Sequence, residues 1–236
     1  MLDQATPSGR MIAAAMKLAA ERPWREIALL DIAEGAGLTL AEVRTAFHDK
    51  ADLVRGFIRA TDDAVLRQVK KPQPSESARD ALFEVIMARL DLLAPYKPAI
   101  RSILEDAEPD PRTLRAALNS QYWMLQAAGV DAAGARGRLR TLGLASVYAS
   151  VLRTWLEDDD PGQARTMAAL DRRLRRGERS LKALDGALDA AQTVHRRARD
   201  LFMSGRRAVR RREETPRPPP QPPENGEPAR PAGPMI

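Results

Sequence analysis

Apolar residues recur at three- and four-residue spacing along most of the chain, and no stretch alternates apolar with polar positions. This periodicity predicts an all-helical protein of about nine or ten helices, punctuated by proline and glycine. The first helix is expected from Ser8, as N-cap, to Glu21, with Met11, Ile12, Ala15, Leu18 and Ala19 on one face. "ERPWRE" interrupts it, and Trp24 is placed to fold back onto the core. A short helix from Leu29 to Ala36 ends at Gly37, a residue suited to the left-handed position that closes a helix. Thr39 and Glu42 have capping-box spacing and start a helix at Leu40 that runs to about Phe47. Lys50 to about Val69 is longer, and "KKPQPSES" reads as a hinge.

Beyond the hinge, helices are expected near 76–93, 97–105, 111–127, 131–156 and 160–191. Prolines 95, 98, 109, 111 and 161 lie between them or at their starts, where proline is tolerated. The organisation expected is a head over residues 1–70, a helical bundle over 76–191, a basic amphipathic helix over 193–214 and a proline-rich tail over 215–236. The tail, "TPRPPPQPPENGEPARPAGPMI", is so rich in proline that it cannot pack a core, and a disordered, solvated polyproline-like extension is expected.

Charge changes this picture only locally. The net charge is +6, but eight arginines and one aspartate fall between His195 and Arg212, so the rest of the 236-residue chain is close to neutral. In that segment Val194, Ala198, Leu201, Phe202 and Val209 share one side of a helix. Docking on the protein body, gripping DNA phosphates without sequence preference, and lying on an anionic membrane through residues 193–212 all fit the pattern.

Cysteine is absent, which removes disulfides, thiolate metal sites and thiol catalysis and agrees with a cytoplasmic setting. His48 and His195 are the only histidines, and no glycine-rich loop follows a strand. An enzyme is therefore not expected, nor a cofactor or bound metal. "LEDDDP" offers consecutive acids, which suit capping of the next helix at Asp160 and Pro161 better than metal ligation. No apolar run has signal-peptide or membrane-spanning character, so a soluble or peripheral protein is expected.

Two short helices around a glycine turn follow the helix-turn-helix plan, with Ile32, Ala33, Ala36, Leu38, Val43 and Phe47 spaced to form its shared core. The stretch "DIAEGAGLTLAEVRTAFHDKADLV" resembles the N-terminal domain of the TetR family of bacterial transcriptional regulators. The resemblance rests on Ile32–Ala33, Ala36–Gly37, Phe47 and the Lys50–Leu53 motif, and covers about residues 8–67. It implies a three-helix DNA-binding head on a C-terminal helical bundle that dimerises and takes a small ligand. The partners implied are double-stranded DNA, a second copy of the chain and a small apolar ligand.

On the expected reading helix, family members carry a lysine or other polar residue near the start, a tyrosine one turn later and a histidine before the phenylalanine. Here those places hold Leu40, Arg44 and Ala46. Thr39, Arg44, Thr45, His48 and Lys50 are the candidates to donate to DNA: Arg44 to a phosphate or a guanine edge, and Lys50 to a phosphate. Residues 1–60 hold eight acidic and eight basic side chains, so the head has no net charge to draw it to phosphates.

A second resemblance lies in residues 138–174. "VYAS", "WL-x-D" at Trp155 to Asp158, and "LDRRL" resemble the C-terminal stretch of the ubiquinone-biosynthesis lipid-binding proteins, which share the TetR fold without reading DNA. This resemblance implies the alternative of a lipid- or partner-binding protein. Under either reading Tyr122, Trp123, Met124, Tyr148, Trp155 and Met167 are candidates to line a ligand cavity, each of them also suited to ordinary core. The expected function is a homodimeric, ligand-responsive DNA-binding regulator.

Overall fold

The computed structural model describes residues 1–179, and in them every regular element is a helix. The expected basic helix at 193–214, the proline-rich tail and the end of the last bundle helix lie outside the described residues. α1 (Pro7–Glu21) begins two residues earlier than the Ser8 cap implies. Thr6 is the N-cap, its Oγ1 accepting from Gly9 N–H, and Pro7 occupies the first helical position, where its fixed φ costs no hydrogen bond. A 3₁₀ turn, Trp24–Glu26, buries Trp24. α2 (Leu29–Ala36) and α3 (Leu40–Ala46) follow, then α4 (Lys50–Gln68).

The bundle contributes α5 (Ala78–Leu93), α6 (Lys97–Asp106), α7 (Pro111–Ala127), α8 (Gly134–Leu156) and α9 (164–179). α5 starts at Ser77, whose Oγ accepts from Asp80 N–H at 3.1 Å. α8 starts three residues later than expected because the Asp131 carboxylate accepts the Ala133 N–H and holds the connection in a turn. α9 also starts late. Asp160 accepts the Gly162 and Ala164 N–H groups, and buried Asp158 accepts from both Thr166 N–H and Thr166 Oγ1, so these acids close the turn before the helix. The Asp158 carboxyl sits below its ordinary range, chiefly because of the Thr166 hydroxyl.

"KKPQPSES" does not separate two bodies. The described residues, 1–179, fall in one compact unit, in which α1 packs along α6 and α4 along α7. One apolar core runs from Met11, Ile32 and Phe47 in the head through Val65, Ile86 and Leu90 to Trp155 and Leu170. The head is thus built onto the bundle, and α4 belongs to both.

Candidate nucleic-acid interface

Helical geometry and four buried side chains decide which face of α3 meets solvent. Ile32 and Ala33 of α2, with Val43 and Phe47, are buried against α1 and α4, while Ala36 and Leu38 are half-buried. Gly56 lets α4 approach closely: a Cβ there would lie 3.0 Å from Ile12 Cδ1 and 3.1 Å from Phe47 Cε1. Gly37 takes φ 64° and its N–H returns to the carbonyl of Glu34, turning the chain from α2 toward α3. With Val43 inward, a 100° step per residue carries Leu40, Ala41, Arg44 and Thr45 onto one outward arc, and all four are exposed.

Several polar groups in this region are already engaged. Glu42 accepts from both Thr39 N–H and Thr39 Oγ1 at 2.8 Å, and Glu42 N–H donates back to Thr39 Oγ1. These bonds, the Thr39 backbone N–H first, hold the Glu42 carboxyl below its usual range. Thr39 and Glu42 are therefore the helix cap. Thr45 Oγ1 donates to the carbonyl of Ala41 at 3.0 Å. His48 projects into solvent with Nδ1 3.4 Å from Asp52. Arg44 makes no hydrogen bond or ion pair among the described residues, so its guanidinium is available.

Lys50 departs from its expected role as a phosphate anchor. Its ammonium points inward, donating to the carbonyls of Trp24 at 2.6 Å and Ile27 at 2.8 Å, and it lies 4.8 Å from the centre of the Trp24 ring. Burial lowers its pKa, with Asp106 and Asp31 opposing. The reason is local: the 3₁₀ turn between α1 and α2 leaves these carbonyls facing the first turn of α4. In this position Lys50 braces the head.

Charged contacts also tie the head to the bundle. Arg25 pairs with Asp106 at 2.7 Å, and the Trp24 N–H donates to Ser102 Oγ at 2.9 Å. Arg55, buried on α4, pairs with Asp110 at 2.6 Å and with Asp52 at 3.2 Å. The Thr113 hydroxyl, then the Arg112 and Thr113 N–H groups and Arg55, bring the Asp110 pKa down to about 2. Between head and bundle lies a cleft of about 760 Å³, walled by residues that include Trp24, Leu29, Lys50, Val54, Asp106 and Thr113.

Comparison with solved structures settles the architecture. A TetR transcriptional regulator from Nitrosomonas europaea superposes with a TM-score of 0.57 at 23% identity, over 72% of this chain and 97% of that one. A TetR regulator from Rhodococcus sp. gives 0.56 at 18%, over 71% and 93%, and a TetR-family regulator from Streptomyces coelicolor gives 0.53 at 18%, over 78% and 83%. This chain has the TetR-regulator fold. No protein-family model and no curated protein matches it. The resemblance of residues 138–174 to the ubiquinone-biosynthesis proteins has no counterpart among these three neighbours.

Within this TetR-type bundle, the residues expected to line one cavity are dispersed. Met124 and Trp155 are core, Tyr122 and Tyr148 are half-buried, and Trp123 and Met167 are 43% and 38% exposed. Within its apolar core the bundle also encloses a polar cluster. Asp62 of α4 and Arg89 of α5, both buried, form an ion pair; Ser120 of α7 donates to the same Asp62 oxygen at 2.6 Å, and Arg89 Nε donates to the hydroxyl of Tyr148 on α8 at 3.0 Å. Sequence reading missed this cluster. Its available signal was charge at core positions, since Arg89 falls in helical register with Val85, Ile86 and Leu93.

Proposed function

We propose that this protein is a homodimeric DNA-binding transcriptional regulator whose affinity for its operator responds to a small ligand in the helical bundle. The observation that carries the reading is the α2–Gly37–α3 unit. It is fixed from behind by Val43, Phe47 and Gly56, and presents α3 outward with the Arg44 guanidinium unengaged. An α-helix held this way fits the major groove; Arg44 and Thr45 lie on its outward arc, and His48 is exposed just beyond its end.

Dimerisation is supported by the outward face of α8. Leu139 and Leu142 are 40% and 55% exposed there, and exposed apolar side chains grouped in this way mark interaction surfaces. The same face continues at helical spacing through Gly143, Ser146 and Ala149, all exposed and all small enough for a second helix to approach closely. Two reading helices related by a dimer axis would engage two half-sites, and a ligand favouring one spacing of the pair would shift DNA affinity by its differential affinity. α4 is the element through which that shift would pass: it starts beside α3 and carries Asp62 into the bundle cluster.

The test is binding of purified protein to the DNA upstream of its own gene, against scrambled duplex, for wild type and Arg44→Ala. The expected result is preference for the upstream DNA that Arg44→Ala reduces. Equal affinity for both duplexes across several upstream fragments would overturn the proposal.

A further inference from the structure

The outward arc of α3 is chemically lopsided. It carries an isobutyl group at Leu40, 52% exposed in the first turn, and a methyl group at Ala41. At Thr45 the hydroxyl is turned back to the Ala41 carbonyl, leaving the γ-methyl as the free end of the side chain. The polar side chains that would ordinarily share this face are held elsewhere: Glu42 and Thr39 by each other, and Lys50 by two backbone carbonyls. On this arc Arg44 alone offers unengaged donors.

In the major groove only thymine presents a methyl group, at C5, while guanine presents the paired N7 and O6 acceptors that match a guanidinium. We infer that α3 reads its half-site mainly through methyl contact, with Leu40, Ala41 and Thr45 meeting thymine C5-methyl groups and Arg44 reading a single guanine. The inference rests on the proposed DNA-binding function and adds the chemistry of the operator. A half-site built on it holds a thymine cluster flanking one guanine, and its affinity depends on the methyl groups.

The experiment is selection from a random duplex pool by the full-length protein, followed by binding to the enriched duplex with half-site thymines replaced one at a time by deoxyuridine. Each replaced thymine that touches the face is expected to weaken binding by about fourfold, the value of one buried methyl group. Leu40→Ala is expected to abolish the effect at one position, and Arg44→Ala to relax selection at the guanine. If no sequence is enriched, the proposed function itself fails. If a sequence is enriched but deoxyuridine changes nothing, or the half-sites lack thymine, sequence reading stands and this inference is overturned. Circular dichroism of Leu40→Ala, an exposed substitution, is expected to match wild type, so a lost methyl effect reports on contact and not on folding.

Discussion

Removing the Asp62 side chain tests whether the bundle cluster holds α4 in place. In Asp62→Ala the Arg89 guanidinium stays buried, with 5% of its side chain exposed, and loses its carboxylate partner, while the Ser120 hydroxyl loses its acceptor. Breaking a buried pair from one side costs about 3–5 kcal/mol, because the remaining charge is left uncompensated. For a protein of this size each kcal/mol lowers Tm by about 2–4 °C, so a fall of about 6–20 °C is expected. The double variant Asp62→Leu with Arg89→Met removes both charges at similar volume and is expected to recover most of the loss, since well-packed apolar replacements of buried pairs are often neutral. The assay is thermal and urea unfolding followed by far-UV circular dichroism on wild type, Asp62→Ala, Asp62→Leu, Arg89→Met and the double variant. A single-variant loss below about 1 kcal/mol, or a double variant as unstable as the sum of the singles, would refute the reasoning.

Three further outcomes are expected. Lys50→Met orphans the carbonyls of Trp24 and Ile27 and should lower stability by about 1–3 kcal/mol, while the salt dependence of DNA binding stays as in wild type; unchanged stability with a shallower salt slope would restore the phosphate role. The Asp110 pKa is depressed to about 2, so its contribution to stability is full above the unfolded value near 3.8 and is lost as pH falls toward 2. Asp110→Asn should therefore flatten the acid limb of a stability-against-pH curve, and an unaltered limb would count against it. Leu142→Glu places a charge in the outward stripe of α8 and should shift sedimentation from dimer to monomer with the helical signal intact; a wild-type protein that sediments as a monomer would remove the dimer from the account.

The head was the most legible part of the sequence because local chemistry decides it. Gly37, the Thr39–Glu42 capping box and the buried series from Ile32 to Phe47 each act over a few residues, and each lies where the pattern placed it. The ends of α1, α8 and α9 were less legible, since Thr6, Asp131 and Asp160 compete for backbone N–H groups within one turn of the expected starts. Lys50 shows where spacing alone misleads. Its position in the chain suits a phosphate contact, but its direction is set by carbonyls more than twenty residues away. Arg89 could be read as a charge at a core position, but its pairing with Asp62 and the Arg25–Asp106 and Arg55–Asp110 links could not, because they join elements whose neighbourhood periodicity does not specify. Aromatic residues gave the cavity expectation, and burial alone dispersed them between core and surface.

The most direct test of the central claim is a salt series of DNA binding for full-length protein and for a truncation ending at Ala191, each on upstream and scrambled duplex. The account predicts that the truncation keeps the ratio of specific to non-specific affinity, because α3 supplies it. A full-length protein that binds both duplexes alike, and whose binding vanishes with the arginine-rich segment, would show that charge alone held the DNA and would contradict the account.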